Sequence, residues 1–245
     1  MIKRFVRRFL ERRGLKLLRR SDIPFGVDWC SDIAYLAKSV SSIRCCFDVG
    51  ANLGQTASRL AEAFPEAEIH SFEPVPETYS QLKTNVTGNR LVRPHNIALS
   101  DKSGRSRMLI ADESGRNRVE NIDDPSAVVV QLETVDNFCR DHALGECNLL
   151  KIDVEGHELQ VLKGAERMLR GGSTGFVVCE CDFHPRPSEP HGNFFELTQY
   201  LNEFNYRVVS FYTGGIDKNG WVWGDVLFAH DHAIRRTGVS CSPAQ

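Results

Sequence analysis

The sequence predicts a three-layer, doubly wound α/β domain, and three observations carry that prediction. Short apolar runs recur at 43–49, 67–72, 148–154 and 176–181, each with the unbroken hydrophobic character of a strand buried on both faces. Between them lie stretches with apolar residues at helical spacing, and glycine or proline stands at the changeovers, as at Gly50, Pro65, Pro76, Gly171 and Gly172. Strands alternating with helices demand a mostly parallel sheet covered on both faces, so residues 43–232 are expected to form one domain.

In chain order, a helical stretch at 29–38 leads into the first strand, 43–49. Residues 55–64 read as a helix halted before Pro65, 67–72 as the second strand, 76–85 as a helix with proline at its first turn, and 91–99 as a third strand. Residues 108–111 and 128–132 read as additional strands around a polar, glycine-containing loop, and 134–142 as a helix. The alternation then resumes with a strand at 148–154, a helix at 157–169 and a strand at 176–181. A helix at 194–204 and strands near 206–211 and 226–229 complete the order.

Thirty lysines and arginines against 32 aspartates and glutamates give a net charge of -2, which argues against bulk nucleic-acid binding. The distribution is uneven, because residues 1–20 carry +8 and the remainder -10. In that first segment Ile2, Phe5, Val6, Phe9 and Leu10 recur at helical spacing, with Lys3, Arg4, Arg7, Arg8, Arg12 and Arg13 on the other face. This basic amphipathic helix suits either an anionic membrane surface or docking on protein. Residues 21–42 are expected to be a helical lead-in and 233–245 a flexible tail. No apolar run approaches the roughly 20 residues that span a bilayer, nor is there a signal-peptide stretch, so the expected location is the cytoplasm, peripheral at the inner face of the membrane where residues 1–20 engage it. The eight cysteines form no CxxC pair, and five of them fall in strand-like runs, where a thiol behaves as a small buried hydrophobe.

Three signals carry chemistry. Asp48, Gly50, Asn52 and Gly54 stand where a buried strand gives way to a helix, and glycines there allow a tight turn close to a ligand. The three glycines of the dinucleotide fingerprint are not present, which disfavours a nucleotide-dependent oxidoreductase. Glu73 ends the second strand, 23 residues beyond Gly50, where an acid can accept both ribose hydroxyls of a nucleoside held over the turn. Lys151-Ile-Asp153-Val-Glu155-Gly156-His157-Glu158 closes another strand beside the reversal of strand order, so Asp153 should face that nucleoside. Asp153 and Glu155 point to opposite sides if the strand persists, and Gly156 permits a turn that brings both to the cleft.

These residues resemble the FkbM methyltransferase family of the class I, S-adenosylmethionine-dependent fold. The resemblance covers 45–230 and rests on D-V-G-A-N-x-G at 48–54, F-E-P-x-P at 72–76, A-L-S-D at 98–101, T-V-D at 134–136, K-I-D-V-E-G-x-E at 151–158 and V-L-K-G-A at 161–165. It implies a seven-stranded, Rossmann-like sheet with an antiparallel last strand and S-adenosylmethionine as cofactor, held across Gly50, Asn52, Gly54 and Glu73 with Asp153 near the methyl donor. It also implies O-methylation of a sugar, glycan or small metabolite.

The reading is therefore an S-adenosylmethionine-dependent O-methyltransferase with Asp48, Gly50, Asn52, Gly54, Glu73 and Asp153 at the cofactor and Asp153, Glu155 and His184 as catalytic candidates. Glu180, His157 and His191 are further titratable candidates, and the segment 182–191 is expected to shape the acceptor pocket. Asp153 and Glu180 could hold a divalent cation, yet no spacing enforces one and no metal site is assigned. The rival outside enzymes is a membrane-peripheral protein that has kept this fold without turnover.

Overall fold

A computed structural model describes residues 9–10, 12–13, 23–37, 42–109, 118–119, 127–184, 192–218 and 220–235. Most of the expected basic helix at 1–20, His191, Cys241 and the tail beyond 235 lie outside them.

The central sheet is built from β1 (Cys45–Val49), β2 (Glu68–Phe72), β3 (Val92–His95), β8 (Leu149–Ile152), β9 (Phe176–Asp182), β10 (Tyr206–Asp217) and β11 (Gly220–His230). Its strand order is β10-β11-β9-β8-β1-β2-β3. All neighbours are parallel except β11, which runs antiparallel to both β9 and β10. The order reverses between β1 and β8, so their carboxyl ends diverge and leave a crevice.

Side-chain alternation divides the core in two. Phe47 and Val49 of β1 face a cluster completed by α4 (Val135–Asp141), α5 (Glu158–Lys163), α6 (Glu166–Arg170) and α7 (Phe194–Asn202). Cys46 faces the other cluster, covered by α1 (Trp29–Ala37), α2 (Gln55–Ala63), α3 (Pro76–Asn85) and α8 (Asp231–Arg235). The seven described cysteines are buried free thiols within these layers.

Three expectations change. The strand expected at 91–99 is two: β3 ends at His95, and β4 (Ala98–Leu99) belongs to a second sheet of order β4-β7-β5-β6. That sheet also contains β5 (Gly104–Leu109), β6 (Arg118–Val119) and β7 (Val128–Glu133). The switch falls at Asn96, whose side-chain amide donates to the carbonyls of Glu73 and Pro74 and so ties the crossing to the end of β2. The helix expected at 157–169 breaks into α5 and α6 at Gly164, where a Cβ would lie 2.0 Å from the Ser100 carbonyl oxygen. Finally, β10 and β11 extend well beyond the expected runs into a long hairpin.

Candidate active site

A cavity of about 320 Å³ opens at the crevice between β1 and β8. Its floor is the turn after β1, where Gly50, Asn52 and Gly54 all take positive φ (83°, 47° and 93°). The cause at Gly50 is packing: a Cβ there would meet the Asp153 carbonyl oxygen at 1.8 Å. A Cβ on Gly54 would meet Leu82 and Val86 of α3, so Gly54 lies behind the wall and does not line the cavity.

Glu73 stands at the end of β2 and forms one side. Its Oε2 accepts from the Asn52 N–H at 3.1 Å and its Oε1 from the Val75 N–H at 2.9 Å. Burial pushes its carboxyl up, partly offset by those two bonds. The Asn52 side-chain oxygen is buried without a partner. Phe72, Pro74, Ala98, Leu99 and Met108 make an apolar wall, the last three supplied by the second sheet and the loop into it.

The far side is the turn after β8. The strand ends at Ile152, and positive φ at Glu155 (53°) and Gly156 (96°) folds the chain back. Neither Asp153 nor Glu155 caps the following helix; Glu158 braces the turn instead, its Oε1 accepting from the N–H groups of Val154 (3.1 Å) and Gly156 (3.2 Å). Asp153 and Glu155 line the cavity, as does His157, whose Nε2 lies 2.9 Å from Ser100 Oγ and whose pKa burial lowers.

Asp153, Glu155 and Glu180 bring carboxylate oxygens to within 4.8 Å of one another, a grouping the sequence spacing alone did not enforce. The positive charge beside them is Lys151, whose Nζ is 3.1 Å from Asp153 Oδ2 and 3.7 Å from Asp225 Oδ1. Burial, with the neighbouring Asp153 carboxylate and its hydrogen bond, pushes Glu180 up to about 9, so it holds a proton at neutral pH. The ammonium offsets part of the negative charge gathered here.

Two candidates fall elsewhere. Asp48 is buried on β1 beneath the turn, on the α2 side, and does not line the cavity; burial raises its carboxyl to about 7, with Lys151 opposing. His184 is exposed beyond the end of β9 and does not line the cavity either; of the three catalytic candidates, Asp153 and Glu155 line it. Lys151 and Asp225 are the partners that the sequence reading passed over. Lysine inside an apolar strand run was a visible signal, whereas Asp225 reaches the site only through the sheet order β8-β9-β11.

Residues 48–208 match the Methyltransferase FkbM domain. The chain belongs to that family. Among curated relatives it is similar to Hexuronic acid methyltransferase AglP of Haloferax volcanii, at 30% identity over 55% of this chain and 54% of the relative. Methyltransferase sdnD of Sordaria araneosa is 28% identical over 57% of this chain and 65% of its own length. 2-O-methyltransferase NoeI of Sinorhizobium fredii is 25% identical over 54% and 61%. The match thus spans between half and two thirds of each relative's length. Several motifs of this FkbM domain act on the fold. Thr134 Oγ1 caps α4, and the Asp136 carboxylate accepts from the Arg167 and Met168 N–H groups at the start of α6.

Proposed function

We propose that this FkbM-family chain transfers a methyl group from S-adenosylmethionine to a hydroxyl of a sugar, glycan or small metabolite. The observation that carries the reading is a cavity that combines hydrogen-bond acceptors at the ends of β2 and β8 with an apolar wall. Glu73, the unpartnered Asn52 oxygen, Asp153 and Glu155 fit a ligand rich in donors and positive charge, and the apolar wall fits a flat aromatic ring. S-adenosylmethionine has those features and supplies, when bound, an electrophilic methyl group on a sulfonium. Glu73 accepts the ribose hydroxyls, Asn52 a donor of the amino-acid portion, and the wall around Met108 packs the ring. Asp153 orients the acceptor hydroxyl and takes its proton, since positioning supplies much of the rate of an in-line displacement.

The relatives named for hexuronic acid and 2-O-methylation favour a carbohydrate acceptor. The test is calorimetry with S-adenosylhomocysteine and NAD, followed by labelled methyl transfer to free hexuronic acids and neutral glycosides. Binding of S-adenosylhomocysteine but not NAD, with label on at least one sugar, is expected. Failure to bind S-adenosylhomocysteine overturns the reading, whereas binding without transfer to any acceptor, including cell extract, leaves the fold without turnover.

The +8 charge and apolar stripe of residues 1–20 support a further reading, in which this segment meets an anionic membrane surface and the acceptor is a lipid-linked saccharide; docking on protein is the alternative. Among the described residues no helix is long and apolar enough to cross a membrane.

A further inference from the structure

Lys151 occupies the middle of the sheet, on β8 between β1 and β9, with 4% of its side chain exposed. A hydrophobic residue of similar length would satisfy such a strand without desolvating a charge, so stability alone does not call for lysine. Its ammonium reaches Asp153 at 3.1 Å and Asp225 at 3.7 Å, and its Nζ donates to the Ile152 carbonyl at 3.4 Å. In register it lies beside Asp48 of β1. One end of this side chain is therefore anchored among strands, and the other touches the carboxylate at the cavity.

We propose that Lys151 is a positioning residue for methyl transfer: its ammonium fixes the Asp153 carboxylate at the cavity and keeps it charged, so that Asp153 and not Glu180 receives the acceptor's hydroxyl proton. The proposal rests on the methyl-transfer reading above. The groups that act on Asp153 come from every neighbouring element. Asp48 stands on β1, Glu73 ends β2, Glu155 lies in the turn, Glu158 begins α5, Glu180 is on β9 and Asp225 on β11. All are acids, and each disfavours a second charge at Asp153; Lys151 is the cation in direct contact with it. Glu180 keeps its own proton in this company. In the transfer, the acceptor's O–H bond breaks and its proton passes to Asp153. The acceptor oxygen bonds the methyl carbon as the carbon–sulfur bond breaks, and that bond's electron pair stays on sulfur.

The test compares the parent with Lys151→Met, Lys151→Arg and the double variant Lys151→Met/Asp225→Asn, which removes one charge of each sign and covers the case in which Lys151→Met does not fold. Two readouts are taken. The first is the carboxyl-carbon NMR titration of Asp153, assigned by the signal missing from Asp153→Asn protein. The second is kcat with labelled donor and whichever sugar of the panel accepts methyl. Without the ammonium the Asp153 titration is expected to move up by about one unit or more. Turnover at neutral pH should fall by at least about tenfold, as for a weakened base, while S-adenosylhomocysteine affinity stays within about twofold and Lys151→Arg recovers most of the rate. An unmoved Asp153 titration or unmoved kcat in a folded variant overturns the proposal. So does failure of both methionine variants to fold, which would make the lysine structural. Parent protein that does not bind S-adenosylhomocysteine sinks the methyl-transfer reading as well; parent that binds and turns over beside an unaffected variant sinks only the role of Lys151.

Discussion

Both carboxylate oxygens of Glu73 are engaged by backbone N–H groups, yet each can accept a further bond, and Glu73 lines the cavity. Glu73→Ala is therefore expected to weaken S-adenosylhomocysteine binding by roughly 1.5 to 3 kcal/mol, the range for charge-assisted hydrogen bonds. It should also cost about 1 to 3 kcal/mol of stability, because the Asn52 and Val75 N–H groups lose their acceptor. Glu73→Gln keeps one acceptor oxygen and should lose less of both; calorimetry and urea unfolding read the two effects separately. Gly50→Ala is a pure test of the turn. With φ at 83° and a Cβ 1.8 Å from the Asp153 carbonyl oxygen, it should destabilise by roughly 3 kcal/mol or more, and a urea midpoint near the parent's would refute the packing argument. At this scale the sequence marked Gly50, Asn52, Glu73 and Asp153 because strand ends beside glycine are visible in a linear pattern. It grouped Asp48 and Gly54 with them, and these two do not line the cavity, since a linear pattern does not separate a cavity wall from the layer beneath it. Asp225 was not legible at all: it meets Lys151 across β9, from a segment 74 residues away.

Elements with clear boundary signals were legible to within a residue or two, as α3, opened by Pro76, and α4, capped by Thr134, are. The second sheet was only half visible, because the first four residues of β5 are glycine or polar and β4 is two residues long. The break at Gly164 answers to Ser100 on a distant loop, so the helical spacing across 157–169 could not announce it. Packing between elements also sets a pH response. His70 of β2 and His95 of β3 share a 3.0 Å contact, and His95 lies stacked on Phe72 with Phe138 of α4 edge-on to it. Burial lowers both histidines, His95 to about 4, with His142 and Arg93 adding repulsion and Glu68 partly opposing at His70. The unfolded chain takes up the His95 proton near pH 6.5 and the folded one only near 4. The unfolded state thus binds more protons in that window, and stability from His95 is present above about 6.5 and lost as pH falls toward 4, with His70 shifted in the same direction. Glu158 and Asp48, raised to about 7 by burial, act oppositely over pH 4 to 7, so a difference measurement is needed. The urea midpoint of the parent minus that of His95→Phe should decline as pH is lowered from 7 to 4.5. A flat difference would mean that His95 protonates as easily in the folded chain as in the unfolded one.

Charge is segregated over the whole molecule: residues 1–20 carry +8 and the other 225 carry -10. The acidic part includes Glu73, Asp153 and Glu155 at the cavity and Asp225 beside Lys151, whose combined field favours a cationic ligand. That same acidity makes the body a poor partner for an anionic membrane, so any attraction must come from the first segment. Each Lys or Arg near such a surface contributes about 1 kcal/mol, and apolar side chains at the interface add to that. At 0.15 M ionic strength the screening length is about 8 Å, so repulsion from the body weakens steeply beyond that distance. Full-length protein is therefore expected to co-sediment with phosphatidylserine vesicles at low salt, to release as salt is raised, and not to bind neutral vesicles. Protein lacking residues 1–20 should remain in the supernatant while binding S-adenosylhomocysteine as the parent does. Full-length protein that ignores anionic vesicles at low salt would assign the apolar stripe to contact with protein, and loss of S-adenosylhomocysteine binding on truncation would show that the segment supports the methyltransferase domain itself.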